Sequence, residues 1–149
     1  MGFTMIIKFN LSQLESVVKE HILPLLSAHS IFTFTGPLGA GKTTMIKVIL
    51  RQCGITQPVT SPTFGYVNSY QASTDRTFNH FDLYRISSID EFVAAGFDEY
   101  LHRLNDVNFI EWPQVIDELL KSSEIKSKLV HIKISYAGDK FDARLLEIS

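Results

Sequence analysis

Between an apolar run, IFTFT (residues 31–35), and an amphipathic one, TTMIKVILRQ (residues 43–52), stands GPLGAGKTT, residues 36–44. Gly36, Gly41, Lys42 and Thr43 satisfy the pattern G-x-x-x-x-G-K-[ST] in full. By average residue usage, a chance match in a chain of 149 residues is on the order of one in two hundred. Context adds to this, because the pattern has meaning only where a strand runs into a loop and the loop opens a helix. The spacing predicts that arrangement, with a helix of about three turns stopped by Cys53-Gly54. Gly36, Pro37, Leu38, Gly39, Ala40 and Gly41 are predicted to form a phosphate-binding loop, with Lys42, Thr43 and Thr44 in the first helical turn. Glycines let backbone N–H groups converge on phosphate oxygens, and the helix dipole favours the negative charge. Lys42 suits the β- and γ-phosphates, and the Thr43 hydroxyl suits Mg²⁺.

The rest of the pattern extends this unit into an α/β domain with a central, mainly parallel sheet, read as one domain over residues 1–149. TMIIKF (4–9) reads as a strand. Leu11, Leu14, Val17, Val18, Ile22, Leu25 and Leu26 then recur at helical spacing, with Asn10 or Ser12 as cap and Pro24 near the end. Residues 55–65 read as loop. YVNSY (66–70) and RTFNHFD (76–82) read as two strands joined across QASTD. Ser87 or Ser88 caps a short helix through Ala95, DVNFIEW (106–112) is a strand, and a helix starts at Pro113. LVHIKISY and DARLLEIS alternate as a closing hairpin.

Fourteen basic residues against sixteen acidic ones leave a net charge of −2 without blocks of like sign. That disfavours a protein that grips RNA or DNA alone, since phosphate contacts come mainly from Lys and Arg. Cys53 has no partner for a disulfide or metal site and reads as a small buried apolar residue. With no membrane-length apolar run, no leader pattern and no myristoylation signal, the expectation is a soluble cytoplasmic protein.

A nucleotide-hydrolysing site also needs carboxylates, which usually end an apolar strand. Asp82 after FNHF and Glu111 after VNFI fit. One can hold Mg²⁺ while the other orients or deprotonates the attacking water; spacing does not assign the roles. In TSPTF (60–64), Thr63 is a candidate switch residue, although an ordinary Pro-containing turn explains the spacing better. His80 reads as a structural hydrogen-bonder rather than a catalyst. Trp112 reads as a core anchor in preference to an exposed stacking surface.

Four stretches in order, GPLGAGKTT, SPTF, HFDLYRI and FIEWP, resemble the TsaE family, bacterial proteins of tRNA threonylcarbamoyladenosine formation. DEFVAAGFDEY resembles the family's segment between them. The resemblance covers roughly residues 31–115, and HFDLYR and IEWP carry more of it than the widely shared loop. Pro37 departs from it, standing where members commonly carry Asp. It implies a three-layer P-loop fold and ATP with Mg²⁺ as cofactors. Implied roles are Lys42 on phosphate, Thr43 on the metal, Asp82 and Glu111 as nearby acids, Thr63 as a switch and Trp112 near the catalytic face. It further implies weak ATP hydrolysis in isolation and partnership with the TsaB–TsaD pair, with tRNA reached only through that complex. The sequence leaves the oligomeric state open, with a monomer favoured. Adenine contacts are guessed at 9–11 and around Arg144.

Three rivals compete with this. A small-molecule kinase needs an arginine-rich lid, for which only Arg76 and Arg103 offer themselves. A GTP switch needs a guanine-reading N-K-x-D, which GDKFD (138–142) does not supply. A binding module with a vestigial loop conflicts with intact Lys42, Thr43 and both acids.

Overall fold

Ile31, Phe32, Thr33 and Phe34 are all fully buried, so the strand before the glycine-rich loop is covered on both faces. A strand buried on both faces belongs at the centre of a parallel sheet, flanked by helical layers. A computed structural model describing residues 4–62 and 65–149 places it there. The strands are β1 (Met5–Asn10), β2 (Ile31–Thr35), β3 (Val67–Gln71), β4 (Thr77–Asp82), β5 (Asp106–Glu111), β6 (Leu129–Tyr136) and β7 (Ala143–Ile148). Among the described residues they form one sheet in the order β1-β7-β6-β2-β5-β4-β3. The central four, β6, β2, β5 and β4, run parallel, and both edges are antiparallel.

Helix α1 (Leu14–Val17) with its flanking turns and α2 (Lys42–Gln52) cover one face, packing on Phe32, Phe34, Val107, Phe109 and Ile132. On the other, α3 (Ile89–Ala94), α4 (Asp117–Leu120) and α5 (Ser123–Lys126) bury Ile31, Phe81, Leu83 and Ile110. This is the expected three-layer α/β, P-loop-like architecture. The parallel strands point the same way, so the glycine-rich loop after β2, Asp82 ending β4 and Glu111 ending β5 share one end of the sheet.

The first helical segment departs from the regular helix expected over 11–26. It winds as a 3₁₀ turn (Leu11–Gln13), α1, a π turn (Val18–Ile22) and a second 3₁₀ turn (Leu23–Ser27). Pro24 cannot donate to the carbonyl four residues back, so the coil widens before it and tightens after it. Leu14, Val17, Val18, Ile22 and Leu26 still reach the core. Asn10 is the cap, its N–H donating to the Gln13 side chain at 2.8 Å, and Ser88 caps α3 by accepting from the Glu91 N–H at 3.1 Å. A 3₁₀ turn over Phe97–His102 and α5 were not expected. Cys53 is half-buried against the core rather than fully enclosed, and that burial pushes its thiol pKa up.

Candidate active site

Gly36 leaves β2 with φ +142°, and a Cβ built there would lie 2.0 Å from the Ile134 carbonyl oxygen of neighbouring β6. Only a residue without a side chain lets the chain turn this close to the next strand. The loop returns through Gly41, at φ +115°, into α2. Lys42 Nζ folds back to donate to the Gly36 and Pro37 carbonyls at 2.7 and 3.1 Å, and lies 4.4 Å from the centroid of a Trp112 ring. Burial lowers the Lys42 pKa, while Glu111 and Asp82 oppose that shift. Lys42 is therefore a partly desolvated cation whose donors bear on the loop.

Behind the loop stands Arg144 on β7, buried and spent on carbonyls. Nε donates to Ala40 at 2.9 Å, and Nη1 donates to Phe141 at 2.6 Å and Ala143 at 3.0 Å. Its guanidinium carbon also lies 4.4 Å from the centroid of the Tyr136 ring. Phe9, opposite Arg144 in the β1–β7 register, is buried in the core. Arg144 therefore braces the loop from beneath through the Ala40 carbonyl, and Phe9 packs in the core beside it in the register. Sequence reasoning missed this role for Arg144, because it depends on β7 inserting between β1 and β6.

Asp82 and Glu111 are partners in the parallel β4–β5 register, yet their surroundings differ. Glu111 is buried and accepts from the Thr43 hydroxyl, which is 2.9 Å from each of its oxygens. His80, fully buried on β4, places Nε2 2.6 Å from Glu111 Oε2. Asp82 is half-buried and accepts from the Tyr84 N–H at 3.1 Å. Burial raises its carboxyl pKa and nearby Glu111 adds to that, against the Tyr84 hydrogen bond, His80 and Lys42. Among the described residues no group of three or more His, Cys, Asp or Glu is set to hold a metal. The groups that could contribute to one are the Thr43 hydroxyl and the two carboxylates, all hard oxygen donors.

A cavity of about 210 Å³ is lined by Leu38, Gly39, Gly41, Lys42, Thr43, Thr44, Asp82, Glu111 and Trp112. Through Leu38, Asp82 and Trp112 it adjoins a second hollow that reaches Ser61, Pro62, Tyr66, Tyr84 and Arg85. Trp112 is not a core anchor. Its backbone takes the left-handed region at φ 55°, between β5 and the turn at Pro113–Ile116, and its ring meets Tyr84 at 5.0 Å between centroids. Positive φ is uncommon for a bulky residue other than glycine, so the backbone here holds a strained turn. Thr63 lies outside the described residues. Arg76 and Arg103 line a different cavity, beside the residues that begin β2, β4, β5 and β6.

The family model for the threonylcarbamoyl adenosine biosynthesis protein TsaE matches residues 10–144. Among relatives, the chain is 42% identical over 85 residues to the TsaE protein of Borreliella burgdorferi, covering 57% of this chain and 61% of that one. It is 38% identical over 109 residues to that of Bacillus subtilis, covering 73% and 63%. Against that of Aquifex aeolicus it is 33% identical over 115 residues, covering 73% and 86%. The chain thus spans about three fifths of the length of several relatives it matches. The crystal structure of Bacillus subtilis YdiB superposes with a TM-score of 0.68 at 26% identity, covering 99% of this chain and 87% of that one. The match runs through the loop, both acids and Arg144, and on it the chain belongs to the TsaE family of tRNA threonylcarbamoyladenosine biosynthesis.

Proposed function

We propose that this protein is a Mg²⁺-dependent ATPase that hydrolyses ATP weakly alone and acts on a TsaB–TsaD pair to sustain its turnovers. The observation that carries this reading is the convergence of Lys42, Thr43, Asp82 and Glu111 on one cavity at the mouth of the glycine-rich loop. The backbone of residues 36–41 and the α2 N-terminus receive the phosphates, and Lys42 turns its ammonium from the loop carbonyls to the phosphoryl oxygens. Thr43 and Glu111, already hydrogen-bonded, hold Mg²⁺ together. When bound, the ion neutralises charge on the transferring phosphoryl group. Asp82, its carboxyl pKa raised by burial, orients the attacking water and accepts its proton. Trp112 and Tyr84 screen the cavity from one side.

The modest negative net charge supports contact with tRNA only through partner proteins. Work as a monomer in the cytoplasm is part of the proposal; among the described residues no helix is long and apolar enough to cross a membrane. The kinase alternative loses its lid, because Arg76 donates to the Leu26 carbonyl at 2.7 Å and Arg103 stacks on Tyr100, away from the loop. ATP turnover measured alone and with a TsaB–TsaD pair tests the reading. Stimulation by the pair is expected. Failure to bind the pair, together with efficient phosphorylation of a metabolite, would overturn it.

A further inference from the structure

Glu111 is held from two sides, and the two contacts do different work. Thr43 approaches from α2 with a hydroxyl equidistant from both carboxylate oxygens, 2.9 Å from each. A single hydroxyl proton so placed cannot select one oxygen over the other. His80 approaches from β4 and touches only Oε2, at 2.6 Å. Among the described residues its Nδ1 has no hydrogen-bond partner, so the ring's polar commitment is to Glu111 alone. Against an acceptor-only carboxylate, Nε2 carries the hydrogen and donates. His80 is fully buried, and Glu111 is nearly so, which leaves little room for the carboxylate to rotate away.

We propose that His80 is a positioning residue whose Nε2–H pins Glu111 Oε2 and so leaves Oε1 as the oxygen presented, with the Thr43 hydroxyl, to the metal. This rests on the reading of the site as a Mg²⁺–nucleotide centre and adds to it the group that orients one of its acids. Hydrogen-bonded partners behind metal ligands fix their orientation, and losing one typically costs about 10–100-fold in metal affinity or activity.

The experiment is a titration of fluorescent ADP binding against Mg²⁺ for the wild type and for His80→Leu, His80→Gln and His80→Asn, with thermal melts to establish that each is folded. Leucine keeps comparable bulk and removes the donor. The glutamine amide nitrogen reaches about where Nε2 stood, whereas that of asparagine reaches only to the place of Nδ1. The expected result is a rise of about 10–100-fold in the Mg²⁺ needed for half-maximal enhancement of binding in the Leu and Asn variants. The Gln variant should stay within a few-fold of wild type, and binding without Mg²⁺ should be unchanged in all three. A role in packing alone would spare the Leu variant, which keeps the bulk, and would show in the melts rather than in the Mg²⁺ demand. Equal losses in the Gln and Asn variants, or no loss in His80→Leu, overturns the positioning role and leaves the proposed function standing. If the wild type shows no Mg²⁺-linked nucleotide binding, the reading of the site fails, and the positioning role fails with it.

Discussion

Replacing Gly36 by alanine tests whether the loop is held as tightly against β6 as its geometry implies. The new Cβ would sit 2.0 Å from the Ile134 carbonyl oxygen and 3.1 Å from the carbonyl carbon. Both belong to backbone in a strand paired on either side with β2 and β7, so neither can swing away as a side-chain end would. Relief requires the backbones to part by more than about 1 Å, an overpacking that typically costs about 1–3 kcal/mol. Alanine at φ +142° adds backbone strain of about 1–3 kcal/mol. The sum, about 2–6 kcal/mol, is a large part of an ordinary domain's stability. For a chain of this size it corresponds to a fall in Tm of roughly 5–20 °C. Gly96→Ala is the control. Gly96 also has positive φ, +79°, but nothing lies within 4 Å of its would-be Cβ, so only the strain applies. Its Tm should fall by roughly 2–10 °C. Calorimetry of the three proteins in one buffer gives the comparison, with nucleotide affinity measured alongside. Gly36→Ala should also weaken nucleotide binding, and Gly96→Ala should not. Equal melting shifts in the two variants would refute the close approach.

Other substitutions separate the remaining parts of the site. Arg144→Met strands the Ala40 and Phe141 carbonyls, while the Ala143 carbonyl keeps the Ala137 N–H at 3.2 Å, and should lower stability by about 2–4 kcal/mol in a denaturant melt. It should also weaken nucleotide binding, and Arg144→Lys should recover little, because an ammonium lacks the fork that reaches all three. For Asp82 the folded state binds the proton more tightly than the unfolded chain, since burial raises its carboxyl pKa. Its ionised form therefore costs stability once pH rises above the ordinary carboxylate range. Asp82→Asn should melt higher than wild type near pH 8, converge with it near pH 3, and lose about 10²–10⁴-fold in turnover. His131 behaves oppositely: burial lowers its pKa, so its neutral form is favoured and stability is lost as pH falls below the ordinary histidine value. Its Nδ1 lies 2.6 Å from the Thr33 hydroxyl, so His131→Asn, which keeps a polar atom there, should flatten the fall in Tm between pH 7 and pH 5.

What the sequence carries openly in this protein is whatever depends on neighbours along the chain. Ile31–Thr35 announces a strand buried on both faces, Gly36 and Gly41 announce a loop that ordinary residues cannot make, and Asp82 and Glu111 announce themselves as acids at strand ends. What stays hidden depends on register and on insertion across the sheet. Arg144 reaches the loop only because β7 lies between β1 and β6, an order the hairpin's own pattern does not contain. Trp112 walls the cavity because one residue takes a left-handed turn, where its composition favours the core. The two acids make the same point most sharply, since neighbouring sequence treats them alike and the β4–β5 pairing sets them side by side. Glu111 meets the Thr43 hydroxyl and the His80 ring, two donors suited to holding an ionised carboxylate in place. Asp82 meets one backbone N–H and a partly dry cavity, which favours taking up a proton. On the proposed reading, adjacent strand ends thus assign one carboxylate to holding charge and the other to moving a proton, without any difference in residue type requiring it.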